Sequence, residues 1–126
     1  EFWNPDVFGY SAALPQIVAG FGMKSFLTQK LSWNQFNRPA HHTFLWEGLD
    51  GTQLFTHFPP ADTYNADFTP YQLVENVRKF KDHDRAKESL YLFGYGDGGG
   101  GPTKSMLEVA RRAADLDGLP RVTIRQ

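Results

Sequence analysis

The sequence predicts an α/β fold: a parallel sheet with flanking helices and one inserted β-hairpin. Three observations carry that expectation. Short apolar runs of strand length alternate with stretches of helical periodicity, the pattern of βαβ units. Leu49-Asp50-Gly51 separates two strand-like runs and marks a tight hairpin turn. Asp6, Lys30, Asp62 and Asp97 each stand just after a strand-like run, at the end where α/β proteins build their sites.

Phe2-Trp3 reads as the end of a strand, and Pro5 stiffens the loop that follows by fixing its own φ and driving Asn4 towards an extended conformation. Leu14, Ile17, Val18 and Phe21 recur at i, i+3, i+4 and i+7, so a helix is expected over about residues 12–21, with Ser11 as N-cap and Pro15 in the first turn. Phe26-Leu27-Thr28-Gln29 is a short strand that delivers Lys30 to its C-terminal end. Leu31 to Arg38 is a polar and aromatic loop containing Trp33 and Phe36, to which no role is assigned. Thr43–Glu47 and Gln53–Phe58 form the hairpin strands. Thr69 and Pro70 open a second helix whose apolar stripe is Leu73, Val74, Val77 and Phe80. Leu90–Phe93 is expected as a buried strand, Pro102-Thr103 as the start of a third helix, and Val122-Thr123-Ile124 as a closing strand.

With 126 residues, 40% of them hydrophobic, the chain has the length of one domain and the apolar material for a core. The 13 basic and 14 acidic residues form no block of either sign, so neither nucleic acid nor an anionic membrane surface is implied as a partner. No apolar run has the length of a membrane span. The absence of cysteine excludes disulfides and thiolate metal sites, leaving His and carboxylates as the metal-ligand types, and it agrees with a cytoplasmic location. The start at Glu1 and the end on a strand-like run lead to the expectation of an internal fragment of a larger polypeptide.

Asp6 is the leading candidate for a reactive group, because a carboxylate aimed by a stiff loop can act as a metal ligand or as a nucleophile at a sugar carbon. Spacing alone equally allows it to buttress the next helix. Adjacent His41 and His42 would point to opposite faces of a strand and are poor joint chelators, so they and His57 are read as structural. The run Gly96-Asp97-Gly98-Gly99-Gly100-Gly101 precedes a helix, as phosphate-binding loops do. Pro102 and Thr103 separate its last glycine from Lys104, which breaks the Walker A spacing. A phosphate-binding module using Gly98–Gly101 and a non-catalytic carbohydrate-binding module are the alternative functions.

Trp3-Asn4-Pro5-Asp6-Val7-Phe8-Gly9-Tyr10-Ser11 resembles the nucleophile motif of the glycoside hydrolase family 38 α-mannosidases, in the branch with cytosolic and bacterial enzymes. Ser11–Ile17, Thr28–Asn34, His41–Gly48, His57–Asn65 and Gly94–Pro102 resemble the same family in the same order, so the likeness covers essentially the whole chain. It implies part of a seven-stranded β/α barrel, with residues 1–126 as a partial catalytic domain lacking flanks at both ends. It also implies a retaining, zinc-dependent α-mannosidase that hydrolyses terminal α-D-mannosyl residues of oligosaccharides, of which this fragment alone would be inactive. Whether the parent is an oligomer is left open.

Residue by residue, the resemblance makes Asp6 both nucleophile and zinc ligand, the other ligands lying outside this segment. Phe8 matches a ring lining the sugar subsite, and Lys30 matches a cationic residue near the nucleophile, where a positive charge favours an ionised carboxylate. Asp97 is the candidate sugar contact in the glycine loop. A retaining mechanism needs a second carboxyl as acid/base. The Golgi and lysosomal branch carries a Tyr-Asp pair where this chain has Tyr64-Asn65, and Asn cannot shuttle a proton. Asp62 and Asp67 therefore remain as candidates, Asp62 favoured for its place in the Pro59–Asn65 run typical of this branch.

Overall fold

The computed structural model describes residues 1–125. It is a mixed α/β structure with a four-stranded sheet and three helices: β1 (Phe2–Trp3), α1 (Leu14–Gly20), β2 (Ser25–Leu27), β3 (Thr43–Glu47), β4 (Gln53–His57), α2 (Pro70–Lys79) and α3 (Lys104–Ala113). Short 3-10 turns occupy Lys30–Trp33 and Asp97–Gly99. The strand order is β1-β2-β4-β3. β1, β2 and β4 run parallel, and β3 joins β4 antiparallel as the inserted hairpin, with Leu45 opposite Phe55. Three C-terminal strand ends therefore share one edge of the sheet, and Asp6, Lys30 and Asp62 follow them.

Among the described residues the sheet has four strands, with β1 and β3 at its edges; the expectation was part of a seven-stranded barrel, and four strands in an open order do not show a barrel. Two of the expected strands do not form. Of Leu90–Phe93, only Phe93 pairs, in an isolated parallel bridge with Ala66, and Leu90 is 44% exposed. Val122–Ile124 forms no strand; Val122 N instead donates to Ala114 O at 3.0 Å. Both runs have apolar strand-like composition, but composition makes no ladder without a paired neighbouring strand.

Helix α1 is shorter than the expected 12–21 and its N-cap is Ala13, not Ser11: Ser11 O accepts from Leu14 N at 3.0 Å and its Oγ from Ala13 N at 3.2 Å, closing a turn ahead of the helix. Pro15 sits in the first turn, where a missing N–H costs nothing. Of the apolar stripe, Val18 is buried whereas Ile17 and Phe21 are exposed, since the helix stops at Gly20 and Gly22 turns the chain with φ 76°. The hairpin turn follows the expectation, with Gly51 at φ 85° and Gly48 N donating to Thr52 O at 2.8 Å.

Helix α2 begins as predicted. Thr69 Oγ1 accepts from Gln72 N, and the Gln72 side chain returns a bond to the Thr69 N–H, satisfying two otherwise free donors in a capping box. Its buried face is Leu73, Asn76 and Phe80, with Val74 and Val77 left half exposed. Thr103 caps α3 by accepting from Met106 N at 3.2 Å.

Apolar burial divides into two clusters. Val18, Phe26 and Leu54 pack between α1 and the sheet, joined by Phe2, Tyr10, Leu14, Met23 and Trp46. Phe68, Leu73, Ala110 and Ala113 pack between α2 and α3. A polar joint connects the two. The Asp82 carboxylate, 1% exposed, accepts from His42 N at 2.8 Å and Thr43 N at 2.9 Å and pairs with His41 and Arg85. Burial alone would raise its pKa, but these hydrogen bonds hold it far below the usual carboxylate range. Lys81 N donates to His42 Nδ1 at 3.0 Å, and Leu90 N donates to His57 Nε2 at 3.3 Å. Both imidazoles accept a backbone proton, which suits their neutral forms.

The pKa of His57 is pushed down to about 4, chiefly by burial and then by His42, with Asp82 opposing. A histidine whose folded pKa lies below its unfolded value contributes stability above the unfolded value, near 6.5, and loses it as pH falls towards about 4. Lowering pH from 7.5 to 4.5 should therefore lower the urea midpoint, His57 contributing at most roughly 3 kcal/mol of the loss. In His57→Gln the pH dependence of that midpoint should flatten; an unchanged slope would remove His57 as its source.

Candidate active site

Asp6 leaves β1 on the loop stiffened by Pro5, and Asn4 N still donates to Leu27 O at 3.0 Å, so the loop starts from a fixed point. Its side chain is 57% exposed, and Oδ1 lies 3.4 Å from Lys30 Nζ. Lys30 opens the 3-10 turn after β2 and is itself only 9% exposed. The ammonium stands 3.4 Å from the ring centroid of Trp33, 5.3 Å from that of Tyr64 and 6.0 Å from that of Phe8. Aromatic faces attract a cation and replace part of its lost hydration, which keeps the charge beside Asp6.

The other oxygen of Asp6 faces a hydroxyl. Tyr64 OH lies 3.5 Å from Asp6 Oδ2 and donates to Asp97 Oδ1 at 2.8 Å. Asn65 Nδ2 donates to Asp97 Oδ2 at 2.7 Å, and Gly96 N donates to Asn65 Oδ1 at 2.6 Å. Tyr64 and Asn65 together clamp the glycine-rich loop. The phenol pKa is pushed up to about 12, first by the hydrogen bond to Asp97, with burial and the Asp6 charge adding to it. Tyr64 is thus a hydroxyl donor at neutral pH.

Of the residues singled out in the sequence, Asp6, Phe8 and Lys30 come together directly, and Asp97 joins them through Tyr64. Asp62 is placed differently. Its carbonyl accepts from Trp33 Nε1 at 2.7 Å, at the rim of this cluster. Its carboxylate faces Lys79 at 3.7 Å and Arg38 at 4.0 Å, over a cavity of about 120 Å³ also lined by His41, His42 and Lys81. The backbone accounts for the direction: Asp62 is left-handed, with φ 56°. Asp67 is exposed, and its N–H donates to Gln72 Oε1 at 3.0 Å.

Trp33, Tyr64 and Asn65 belong to this cluster although the sequence reading gave Trp33 no role and treated Tyr64-Asn65 only as the counterpart of a Tyr-Asp pair. Among the described residues no three His, Asp or Glu side chains are grouped so as to hold a metal ion. No helix among the described residues is long and apolar enough to cross a membrane.

A carboxylate fixed between a cation and a hydroxyl, at the C-terminal edge of a parallel sheet and beside exposed aromatic rings, is an arrangement suited to sugar chemistry. The profile of "Glycosyl hydrolases family 38 N-terminal domain" matches residues 1–126, and the chain belongs to that family of glycoside hydrolases. It is 54% identical over 124 residues to Alpha-mannosidase 2C1 of Homo sapiens, covering 98% of this chain and 12% of the relative. It is 51% identical over 122 residues to Alpha-mannosidase G of Dictyostelium discoideum, covering 97% of this chain and 11% of that one. It is 47% identical over 116 residues to Alpha-mannosidase of Saccharomyces cerevisiae, covering 92% and 11%. The chain thus spans a small part of the length of these curated relatives.

Gly96 is required by the clamp. A Cβ there would lie 2.6 Å from Asn65 Oδ1 and 2.9 Å from the Tyr64 ring. Gly96→Ala should lower stability by about 1–3 kcal/mol in urea unfolding, whereas Ala at Gly101, where a Cβ meets nothing, should cost far less. Equal midpoints for the two variants would show that the clamp tolerates a side chain.

Proposed function

We propose that the parent protein is a retaining α-mannosidase that hydrolyses terminal α-D-mannosyl residues of oligosaccharides, with Asp6 as its nucleophile. The observation that carries this reading is the Asp6–Lys30 pair at 3.4 Å, enclosed by Trp33, Tyr64 and Phe8, in a chain of family 38. Asp6 attacks the anomeric carbon; the bond to the leaving oxygen breaks as the ester to Asp6 forms, and that oxygen takes a proton from a general acid. Water, deprotonated by the same group, then attacks the anomeric carbon and releases the sugar with its original configuration. Lys30 orients the attacking carboxylate and balances its charge. Phe8, 74% exposed, offers a ring face to the apolar side of the sugar.

Asp62 is the proposed acid/base. Its left-handed backbone, anchored through Trp33, is the kind of local strain that accompanies functional loops. To serve there, its carboxylate must turn from Arg38 and Lys79 towards the leaving oxygen. Asp97 is proposed to touch the sugar from the glycine loop. Zinc is part of the reading: Asp6 would supply one ligand and the rest of the parent the others. Bound zinc would hold adjacent sugar hydroxyls. A cytoplasmic location of the parent is part of the same proposal.

In the full-length parent, Asp6→Asn should lower hydrolysis of an aryl α-mannoside by on the order of 10³-fold or more. Wild-type turnover in that variant would overturn the mechanism, and sugar binding that persists without metal would then favour a carbohydrate-binding role. Lys30→Met keeps the length of the side chain and removes its charge. It should lower kcat/KM by about 10- to 100-fold, and an effect below twofold would show that the cation does not serve Asp6.

A further inference from the structure

Tyr64 has one hydroxyl proton and two carboxylates within reach. It donates to Asp97 Oδ1 at 2.8 Å, and Asp6 Oδ2 stands 3.5 Å away on the other side. Asp6 thus has the Lys30 ammonium 3.4 Å from Oδ1 and the Tyr64 oxygen 3.5 Å from Oδ2, a contact that becomes a hydrogen bond when the phenol turns its proton from Asp97. Trp33 covers the ammonium, and Asp97 accepts the phenol proton. Asp97 cannot drift, because Asn65 binds its second oxygen at 2.7 Å and Gly96 N sets the Asn65 amide at 2.6 Å. An unbroken series of polar contacts thus runs from the backbone of the glycine-rich loop to the candidate nucleophile.

We propose that Tyr64 is a positioning residue: its single hydroxyl proton, held by Asp97 and able to turn to Asp6, biases the orientation of the Asp6 carboxylate and couples the Gly96–Gly101 loop to the reacting group. The inference rests on the reading of Asp6 as nucleophile. Ground-state binding of the sugar does not need this contact, so its loss acts on the step in which Asp6 attacks. A carboxylate free to rotate spends less time with an oxygen aligned on the anomeric carbon, and misalignment lowers kcat more than it raises KM. The coupling assigns Asp97 a second task besides any sugar contact. A residue that only bound sugar would act through KM and independently of Tyr64.

The test is a double-mutant cycle in the full-length parent with an aryl α-mannoside, using Tyr64→Phe, Asp97→Asn and the double variant. Tyr64→Phe keeps the ring over Lys30 and removes only the hydroxyl. It should lower kcat by about 10-fold with KM changed less than threefold, in enzyme that is fully folded at the assay temperature. Asp97→Asn should also lower kcat, and the double variant should be no slower than the slower single one, because all three break the same series of contacts. A kcat for Tyr64→Phe within twofold of wild type overturns the proposal. So do single effects that multiply in the double variant, or losses that vanish once corrected for the folded fraction. Asp6→Asn is run alongside: full activity there sinks the nucleophile reading and this inference with it. A severe loss in Asp6→Asn with an active Tyr64→Phe sinks this inference alone.

Discussion

An ammonium group that has lost most of its water must find other partners, and at the end of β2 Lys30 finds them in a carboxylate and a set of rings. Its side chain is 9% exposed, with Asp6 Oδ1 at 3.4 Å and the Trp33 ring centroid also at 3.4 Å. Uncompensated burial of such a charge costs several kcal/mol, so these contacts are conditions for the local fold and not additions to it. Four segments meet there: the loop after β1, the 3-10 turn after β2, the run after β4 that carries Tyr64, and, through Asp97, the glycine-rich loop. The parallel pairing of β1, β2 and β4 makes the meeting geometrically natural, since it puts their C-terminal ends side by side.

What was legible in the sequence was whatever depends on neighbours along the chain. The Thr69-Pro70 helix start and the Asp50-Gly51 turn are encoded within four residues, and both form as read. The pairing of Asp6 with Lys30 was legible at one remove, because both follow short strands that proved parallel and adjacent. Leu90–Phe93 and Val122–Ile124 have strand composition without strand partners, and partners are a property of the whole sheet. The side-chain direction of Asp62 hinges on a left-handed φ of 56°, a conformation that Asp tolerates without announcing it in sequence. Tyr64 and Trp33 were hidden for a similar reason: an aromatic residue in a loop looks the same whether it packs at random or encloses a cation.

Family membership and geometry bear on different questions. The match to glycosyl hydrolase family 38 covers the whole chain and says what kind of chemistry the segment belongs to. The distances describe what lies together in it: one carboxylate with an ammonium 3.4 Å from one oxygen and a phenol 3.5 Å from the other, and exposed rings at the rim. They also distinguish the two other acidic residues. Asp97 has both oxygens occupied by hydrogen-bond donors, whereas Asp62 sits among cations on the far side of the Trp33 contact.

The two apolar clusters give this arrangement a mechanical character. Asp6 and Lys30 are mounted on the body built around Val18, Phe26 and Leu54, while the glycine-rich loop is mounted on the body built around Phe68, Leu73, Ala110 and Ala113. The approach of Tyr64 OH to Asp6 Oδ2 at 3.5 Å is therefore where side chains carried by two separately packed interiors meet.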